Sequence, residues 1–171
     1  MNAKTILVTY ATRYGSTEEV AKTIAAEMRK AGLEVEIQPM SQVVAFDGCG
    51  AVVLGAAIYN GRWHPEAHEF LSRHEASLRR RPIAIFALGP LSKSAAAMKR
   101  SRRQLENELQ PYSWLKPVAV EMFVGKIDPS KLGFFERLAT PASDNRNWAG
   151  IRAWAGALAS QLQRQRIPEP A

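Results

Sequence analysis

The chain has 171 residues, of which 46% are apolar and 23% are charged, and its formal net charge is +7. These values are typical of a globular protein with one full core. No apolar run approaches the roughly 20 residues of a membrane span, and the first residues lack the pattern of a signal peptide. We therefore expect a cytoplasmic protein with a single domain over residues 1–166 and a loose C-terminal tail over residues 167–171.

Five segments are predicted as strands. Residues 5–8, 51–54 and 83–88 are continuously apolar, which is typical of strands buried on both faces of a sheet. Residues 34–37 and 118–124 instead alternate apolar side chains with carboxylates, which indicates strands at the sheet edges.

Helix-period patterns lie between these strands and end the chain. The first helix is expected to stop near Gly32, and Pro65 is expected at the start of the second. The predicted buried faces are Val20, Ala21, Ile24, Ala25 and Met28; Ala67, Phe70, Leu71 and Leu78; Met98, Leu105 and Leu109; and Trp148, Ile151, Trp154, Ala155, Leu158 and Leu162. This alternation predicts an α/β fold: a three-layer α/β/α sandwich around a five-stranded parallel sheet of order 2-1-3-4-5.

In this topology ligands bind beyond the carboxyl ends of the first, third and fourth strands. The turn after the first strand, residues 12–17, has three hydroxyl residues and Gly15 before a helix, where an anion is favoured. It lacks both the nucleotide loop that ends in Gly-Lys-Ser/Thr and the G-x-G-x-x-G fingerprint. Neutral donors suit a phosphate monoester that does not react, such as that of FMN. The alternative is that Ser16 and Glu19 only form a capping box.

The residues from Tyr10 to Thr17, followed by Ala21 and Ile24, resemble the FMN-phosphate signature of flavodoxins. Three further segments are similar to the flavodoxin-like branch that includes menaquinone-dependent protoporphyrinogen oxidase. They are Gly55-Ala56-Ala57-Ile58, the stretch GKIDPSKLGFFERL at residues 125–138, and Asn147-Trp148. The chain departs from the resemblance at Thr9 and in the short segment 139–146, where the oxidase branch has a longer insertion. The resemblance implies a flavodoxin-like fold with FMN as cofactor.

The resemblance and the topology together give the predicted cofactor-binding residues. They are Thr12, Arg13, Tyr14, Gly15, Ser16 and Thr17 for the phosphate, and Ala57, Ile58, Tyr59, Asn60, Gly61, Trp63, Leu88 and Gly89 for the ring. Tyr59 or Trp63 could stack on the flavin, although Trp63 alternatively packs against the second helix. Residues 88–94 contain no second aromatic residue, which leaves room for a substrate. No residue is predicted as a catalytic acid or base.

Other reactive side chains are interpreted as structural. His64, His68 and His74 are expected at solvated helix positions, without a metal ion. Cys49 is the only cysteine, so an intramolecular disulfide is impossible, and its thiol is expected to be buried or incidental.

The cations Arg13 and Arg62 fall in two of the candidate flavin loops, whereas ordinary flavodoxins, as the resemblance implies, surround FMN with acidic residues. We therefore predict an FMN-binding oxidoreductase that passes electrons between an organic substrate and a quinone or another redox partner. The alternatives are a flavodoxin-type electron carrier and a non-flavin module that binds anions or nucleic acid, although nucleic acid is not the expected partner. Basic patches at residues 79–81 and 99–103 are either solvated faces or contacts for an anionic membrane surface, compatible with a peripheral position at its inner face.

Overall fold

A twisted parallel sheet lies at the centre of a computed structural model that describes residues 5–127 and 143–165. Its strands are β1 (Thr5–Ala11), β2 (Val35–Pro39), β3 (Cys49–Tyr59), β4 (Arg62–Trp63), β5 (Ile83–Leu88) and β6 (Ala119–Phe123). The parallel strands follow the order β2-β1-β3-β5-β6. This confirms the predicted order of five strands; the short β4 is an addition to it.

Strand β3 is longer than the apolar run 51–54 predicted. It continues to Tyr59, and Asn60 and Gly61 then adopt φ values of 50° and 75°. Positive φ at both central residues is typical of a two-residue hairpin turn, for which Asn-Gly is the preferred sequence. The chain therefore folds back as β4, which pairs antiparallel with the end of β3.

In residues 5–127 and 143–165, five α-helices cover the two faces of the sheet. They are α1 (Ser16–Lys30), α2 (Pro65–Arg73), α3 (Glu75–Leu78), α4 (Ala95–Leu109) and α5 (Trp148–Arg164). The apolar faces of α1 and α5 pack on one side of the sheet, and those of α2, α3 and α4 pack on the other. The predicted helix through Leu78 is in fact two helices, because α2 ends at Arg73 and His74 separates it from α3. Gly32, with φ of 85°, follows the end of α1 as expected.

The burial of each strand follows its pattern of side chains. Strand β5 is buried along its whole length and β1 along nearly all of it, whereas the edge strand β2 has no fully buried residue and the edge strand β6 is buried only at Met122 and Phe123. Gly55 in β3 lies beside Phe86 in β5, and a Cβ atom there would lie 1.9 Å from the Phe86 ring. The absence of a side chain at Gly55 therefore makes the space that Phe86 fills.

A second, two-stranded sheet lies near the start of α1. It pairs β7 (Lys126–Ile127) with β8 (Ser143–Asp144). Helix α5 then begins at Trp148, and the Asn147 side chain accepts a hydrogen bond from the Gly150 amide at 3.0 Å, which confirms the predicted helix start. Most of segment 125–138 and the tail 167–171 lie outside the described residues. Within the described ranges, no helix is both long and apolar enough to cross a membrane.

Candidate cofactor site

A cleft of about 910 Å³ opens at the carboxyl ends of β1, β3 and β5. The three loops that the topology singled out form its walls. Every predicted site residue lines it except Gly15 and Gly61, which shape the two turns through their positive φ values. The volume lies near the top of the range of ~300–1,000 Å³ that is common for ligand sites.

The turn after β1 forms one end of the cleft, which we call the phosphate end (residues 12–17). Gly15 precedes α1 in the left-handed conformation, with φ of 88°, and no side chain caps the helix. The alternative interpretation, a capping box formed by Ser16 and Glu19, is therefore wrong. The Gly15 amide instead donates to the Thr12 hydroxyl at 2.9 Å. The first helical hydrogen bond runs from the Glu19 amide to the Gly15 carbonyl, so the amides of Ser16 and Thr17 have no carbonyl one turn earlier to bind.

Thr17 gives the phosphate end an unsatisfied donor. Its side chain is fully buried, it lines the cleft, and its Oγ1 atom has no hydrogen-bond partner among the described residues. A buried hydroxyl without a partner costs about 1–3 kcal/mol. The Thr12 hydroxyl accepts one hydrogen bond and can still donate another. Together with the positive end of the helix dipole, these groups fit an anionic oxygen that arrives with a ligand, such as the terminal phosphate of FMN.

Arg146 supports the phosphate end, and the sequence analysis did not find it. Its side chain is 2% exposed, and its guanidinium donates to the carboxylates of Glu19 in α1 at 2.6 Å and Asp144 in β8 at 2.8 Å. The hydrogen bond from Arg146 is the main reason that the pKa of Asp144 lies below its ordinary value. The guanidinium also stacks on the Trp148 ring, 4.4 Å from its centroid. This cluster fastens the first turn of α1 to the start of α5.

The neighbouring part of the cleft, which we call the ring end, is formed by residues 57–65 and 88–91 and by Glu108 of α4. Tyr59 is 42% exposed there. The Arg13 guanidinium lies 5.1 Å from the centroid of the Tyr14 ring and 5.2 Å from that of Tyr59, which are cation–π distances. Arg62 also lines this end and is exposed. A cationic edge and an accessible aromatic ring therefore lie side by side.

Trp63 follows the packing alternative. Its ring is 2% exposed, its indole Nε1 donates to the Ala56 carbonyl at 3.2 Å, and its ring meets His68 of α2 edge to face at 5.6 Å. Trp63 is thus part of the wall, whereas Tyr59 presents its surface to the cleft.

The loop after β5 contributes small and aliphatic groups, namely Leu88, Gly89, Pro90 and Leu91. Leu91 is 40% exposed. The Gly89 amide is already bonded to the Phe123 carbonyl at 2.8 Å, so it is not available to a ligand. A Cβ at Gly89 would lie 2.5 Å from the Met122 sulfur, which explains why glycine is needed where the loop leaves the sheet.

The three histidines are partly exposed rather than fully solvated, and each makes specific contacts or is buried at one ring nitrogen. His64 caps α2 by accepting a hydrogen bond from the Glu66 amide. The Nε2 atom of His74 is buried without a partner among the described residues, and burial lowers the pKa of this imidazole. His68 bonds to Tyr112 and Glu108, each at 2.7 Å. In the part of the chain that the structure describes, no three potential ligands come together as a metal site.

Cys49 behaves as the sequence suggested for a structural thiol. It begins β3, is partly buried, and donates a hydrogen bond to the Ala51 carbonyl at 3.2 Å. Burial raises the pKa of this thiol above its ordinary value, which disfavours the reactive thiolate.

A protein-family model described as a flavodoxin domain matches residues 7–142. The chain belongs to the flavodoxin family. Flavodoxins are FMN-binding proteins of electron transfer, so the cofactor is FMN and the role is a redox one, as the sequence analysis predicted.

Among curated proteins, this flavodoxin-family chain is similar to protoporphyrinogen IX dehydrogenase [quinone] of Escherichia coli (strain K12). The two are 27% identical over 84 residues, which are 48% of this chain and 46% of the relative. The chain thus spans about half the length of the curated relatives that it matches.

Solved structures share the fold at low sequence identity. A short-chain flavodoxin associated with a non-canonical PDU bacterial microcompartment has a TM-score of 0.62 and 17% identity, with 92% of this chain and 98% of that chain covered. Oxidised flavodoxin 1 from Bacillus cereus has a TM-score of 0.56 and 16% identity, with coverages of 95% and 99%. A point mutant of a flavo di-iron protein from Thermotoga maritima has a TM-score of 0.60 and 16% identity, with 93% of this chain but only 36% of that chain covered.

Proposed function

We propose that the protein is an FMN-dependent oxidoreductase that passes electrons from an organic substrate to an acceptor such as a quinone. The observation that carries this proposal is the open ring end, where the loop after β5 offers Pro90 and Leu91 and no aromatic ring. One face of a flavin bound there would remain accessible to a second molecule. When bound, FMN supplies hydride and single-electron chemistry.

The phosphate of the cofactor would be held at the phosphate end. The hydroxyls of Thr12, Ser16 and Thr17 and the first amides of α1 line or adjoin that part of the cleft. Each hydrogen bond to a charged group contributes about 1.5–3 kcal/mol. At the ring end, exposed Tyr59 would provide a flat contact for the isoalloxazine.

The charges at the ring end support substrate oxidation. Arg13 and Arg62 line the cleft, and a cation near the ring stabilises the extra electron density of the reduced flavin by about 1–4 kcal/mol, depending on the local dielectric. The chain's residues would thus ease two-electron reduction, which is what an enzyme that takes hydride equivalents from a substrate requires.

For the substrate we propose a porphyrinogen. The similarity to a protoporphyrinogen IX dehydrogenase supports this choice, although it covers half of each chain. The carboxylates of a porphyrinogen would also be attracted to a chain with 23 lysines and arginines against 16 acidic residues.

The direct test mixes FMN-loaded protein with protoporphyrinogen IX and menadione under anaerobic conditions and follows protoporphyrin fluorescence. We expect product only when FMN and menadione are both present. Product formation no faster than in the protein-free control would overturn the porphyrinogen activity. Replacing Leu91 by Trp, which adds the missing ring, should reduce turnover while the protein still binds FMN.

A second candidate is an electron carrier without its own substrate. It is favoured by the similarity over nearly the whole chain to flavodoxins, the short-chain flavodoxin among them. This function predicts that the reduced protein passes electrons to an acidic redox protein at a rate that falls steeply with added salt, and that no organic donor reduces it.

We also propose that helix α4 contacts an anionic membrane surface. Lys99, Arg100 and Arg103 are exposed there, whereas Arg102 pairs with Glu121 at 2.6 Å. The patch at residues 79–81 offers less positive charge to a membrane surface than its sequence suggests, because Arg81 donates to the carbonyls of Cys49 and Phe46. Sedimentation with vesicles that contain phosphatidylglycerol, and none with pure phosphatidylcholine, is the expected result; equal binding to both would contradict it.

A further inference from the structure

Three titratable side chains form a hydrogen-bonded chain at the wall of the cleft. The Nε2 atom of His68 in α2 lies 2.7 Å from a carboxylate oxygen of Glu108 in α4, and its Nδ1 atom lies 2.7 Å from the Tyr112 hydroxyl. The same Glu108 oxygen accepts the Trp63 amide at 3.2 Å. The sequence analysis did not find this group, because residues 68 and 108 are far apart along the chain.

The chain of hydrogen bonds has two different ends. His68 and Glu108 line the cleft, with side chains 31% and 23% exposed. Tyr112 does not line the cleft but is partly exposed elsewhere. The other carboxylate oxygen of Glu108 makes no hydrogen bond with any residue in the described ranges, so Glu108 retains an acceptor for a ligand proton.

The direction of the hydrogen bonds between Tyr112, His68 and Glu108 follows from the carboxylate at one end of the series. An ionised carboxylate only accepts hydrogen bonds, so Glu108 takes the hydrogen bond from Nε2 of His68, and Nδ1 is then free to accept one from the Tyr112 hydroxyl. A proton can therefore move from Tyr112 to Nδ1 while the hydrogen on Nε2 moves to Glu108, and solvent restores the Tyr112 proton.

We propose that Tyr112, His68 and Glu108 form a relay that delivers a proton to a quinone bound in the cleft; this rests on the proposed oxidoreductase function. Conversion of a quinone to a quinol adds two electrons and two protons. The bound cofactor would supply the electron pair and one hydrogen, and Glu108 would supply the second hydrogen as a proton. Both carbonyl oxygens then become hydroxyls, and the relay is refilled from water.

The same relay serves the donor half-reaction in reverse. An organic substrate that is oxidised by two electrons through loss of a hydride equivalent would also release a proton, which Glu108 would accept and pass outward through His68. A substrate with an N–H or O–H group next to the oxidised carbon would suit this arrangement. If the contact between His68 and Glu108 only fastened α2 to α4, its removal would affect neither the proton given to the quinone nor the proton taken from the substrate.

The test uses two oxidants that differ in their need for protons. Dithionite-reduced holoprotein is mixed anaerobically with menadione, which takes up protons, or with ferricyanide, which takes electrons alone. For Glu108→Gln we expect reoxidation by menadione to be about 100-fold slower, the scale of general acid catalysis, and reoxidation by ferricyanide to be unchanged. Glu106→Gln is the matched control, since it removes the same charge from an exposed position of α4 and should change neither rate.

Two further variants separate the relay from a structural contact. Tyr112→Phe keeps the ring that stacks on His68 and should slow the menadione reaction alone, with a reduced solvent isotope effect. In the cofactor-free protein, ¹⁵N spectra of the three histidines should show neutral His68 with its hydrogen on Nε2, and Glu108→Ala should abolish that preference.

The outcomes distinguish the two proposals. If ferricyanide but not menadione reoxidises the wild-type protein, the quinone reaction is wrong and the relay falls with it. The relay alone is wrong if menadione reoxidises the wild-type and Glu108→Gln proteins equally fast. It is also wrong if reoxidation by menadione and reoxidation by ferricyanide become slower to the same extent in a folded variant. Hydrogen on Nδ1 of neutral His68 would also overturn it.

Discussion

The two ends of the cleft are built in different ways. The phosphate end is a short turn of neighbouring residues whose hydroxyl and amide donors are neutral, and the hydroxyl of Thr17 is fully buried there. The one cation of this turn, Arg13, places its guanidinium against Tyr14 and against Tyr59 of the ring end. The ring end collects residues from β3, β4, the loop after β5 and α4, and it exposes Tyr59 and Leu91. The donors of the phosphate end suit the fixed anionic group that we propose for it, whereas the exposed side chains of the ring end leave room for the proposed second substrate.

Under the proposed function, the residues of the phosphate end bind the cofactor, and the residues of the ring end determine which reaction it takes part in. The phosphate end has a local sequence signature, so it identified the family. The ring end differs in its charges and in its missing aromatic ring from what the resemblance to ordinary flavodoxins implies, and this difference supports the proposed enzymatic role. Substitutions at the two ends should therefore change different measurements.

The largest expected effect is at the ring end. Gly89→Ala would place a Cβ atom 2.5 Å from the Met122 sulfur and 3.0 Å from the Ser101 Cβ. Overpacking of this kind costs about 2–3 kcal/mol, which urea unfolding of the cofactor-free protein would measure. The control is Gly156→Ala in α5, where nothing lies within 4 Å of the new atom; it should stabilise the protein by about 1 kcal/mol. Equal losses at the two positions would contradict the packing described for the ring end.

The next effect concerns the support of the phosphate end. Arg146→Met should lower the free energy of unfolding by about 2 kcal/mol, less than for a fully buried ion pair because Glu19 and Asp144 are each 42% exposed. Arg152→Met, which removes an exposed cation from α5, should have little effect.

The ion pair between Arg146 and Asp144 also predicts that the free energy of unfolding depends on pH. The folded-state pKa of Asp144 lies below its ordinary value of 3.8, so its contribution to stability is complete above that pH and is lost as the pH falls through the folded-state pKa. Arg146→Met should remove this part of the acid dependence of unfolding. If the free energy of unfolding depended on pH in the same way at acidic pH in both proteins, the ion pair with Arg146 would not be the cause of the lowered pKa of Asp144.

A smaller effect tests the unsatisfied hydroxyl. Thr17→Val should weaken FMN binding about tenfold, which corresponds to one hydrogen bond of ~1.5 kcal/mol to a charged group, without destabilising the cofactor-free protein. Thr9→Val is a matched control, because Thr9 is also fully buried with an unpartnered hydroxyl but does not line the cleft. Calorimetric titration of the two variants should separate them; equal affinities would rule out a phosphate contact by Thr17.

The smallest effect concerns charge at the ring end. Arg13→Gln should lower the two-electron potential of the bound flavin by about 20 mV, the equivalent of ~1 kcal/mol for one exposed cation. Arg100→Gln on α4, which does not line the cleft, should leave the potential unchanged. Spectroelectrochemical titration compares the two, and a higher potential in the Arg13 variant would contradict the electrostatic argument.

Local patterns explain what the sequence could predict. Continuous apolar runs marked β1, β3 and β5 as central strands, and alternation marked β2 and β6 as edges, because these patterns arise directly from burial on two faces or on one. The turn 12–17 was also recognised, since its hydroxyls, its glycine and the helix that follows are adjacent in sequence.

The remaining features depend on contacts between distant segments. Arg146 meets Glu19, and His68 meets Glu108, only after the sheet and helices have assembled. Trp63 packs in the wall of the cleft, where its indole nitrogen donates a hydrogen bond to the Ala56 carbonyl. The hairpin at Asn60-Gly61 did have a local signal, the favoured Asn-Gly pair, but the small residues before it hid the extension of β3.

The most direct test of the account compares FMN with riboflavin, which has the same ring and no phosphate. Calorimetric titration of the cofactor-free protein should give one FMN per chain and an affinity for riboflavin about 100-fold weaker, because two or more hydrogen bonds to a charged group are lost. Equal affinities for the two flavins, or no binding of FMN by folded protein, would contradict the assignment of residues 12–17 as the phosphate site.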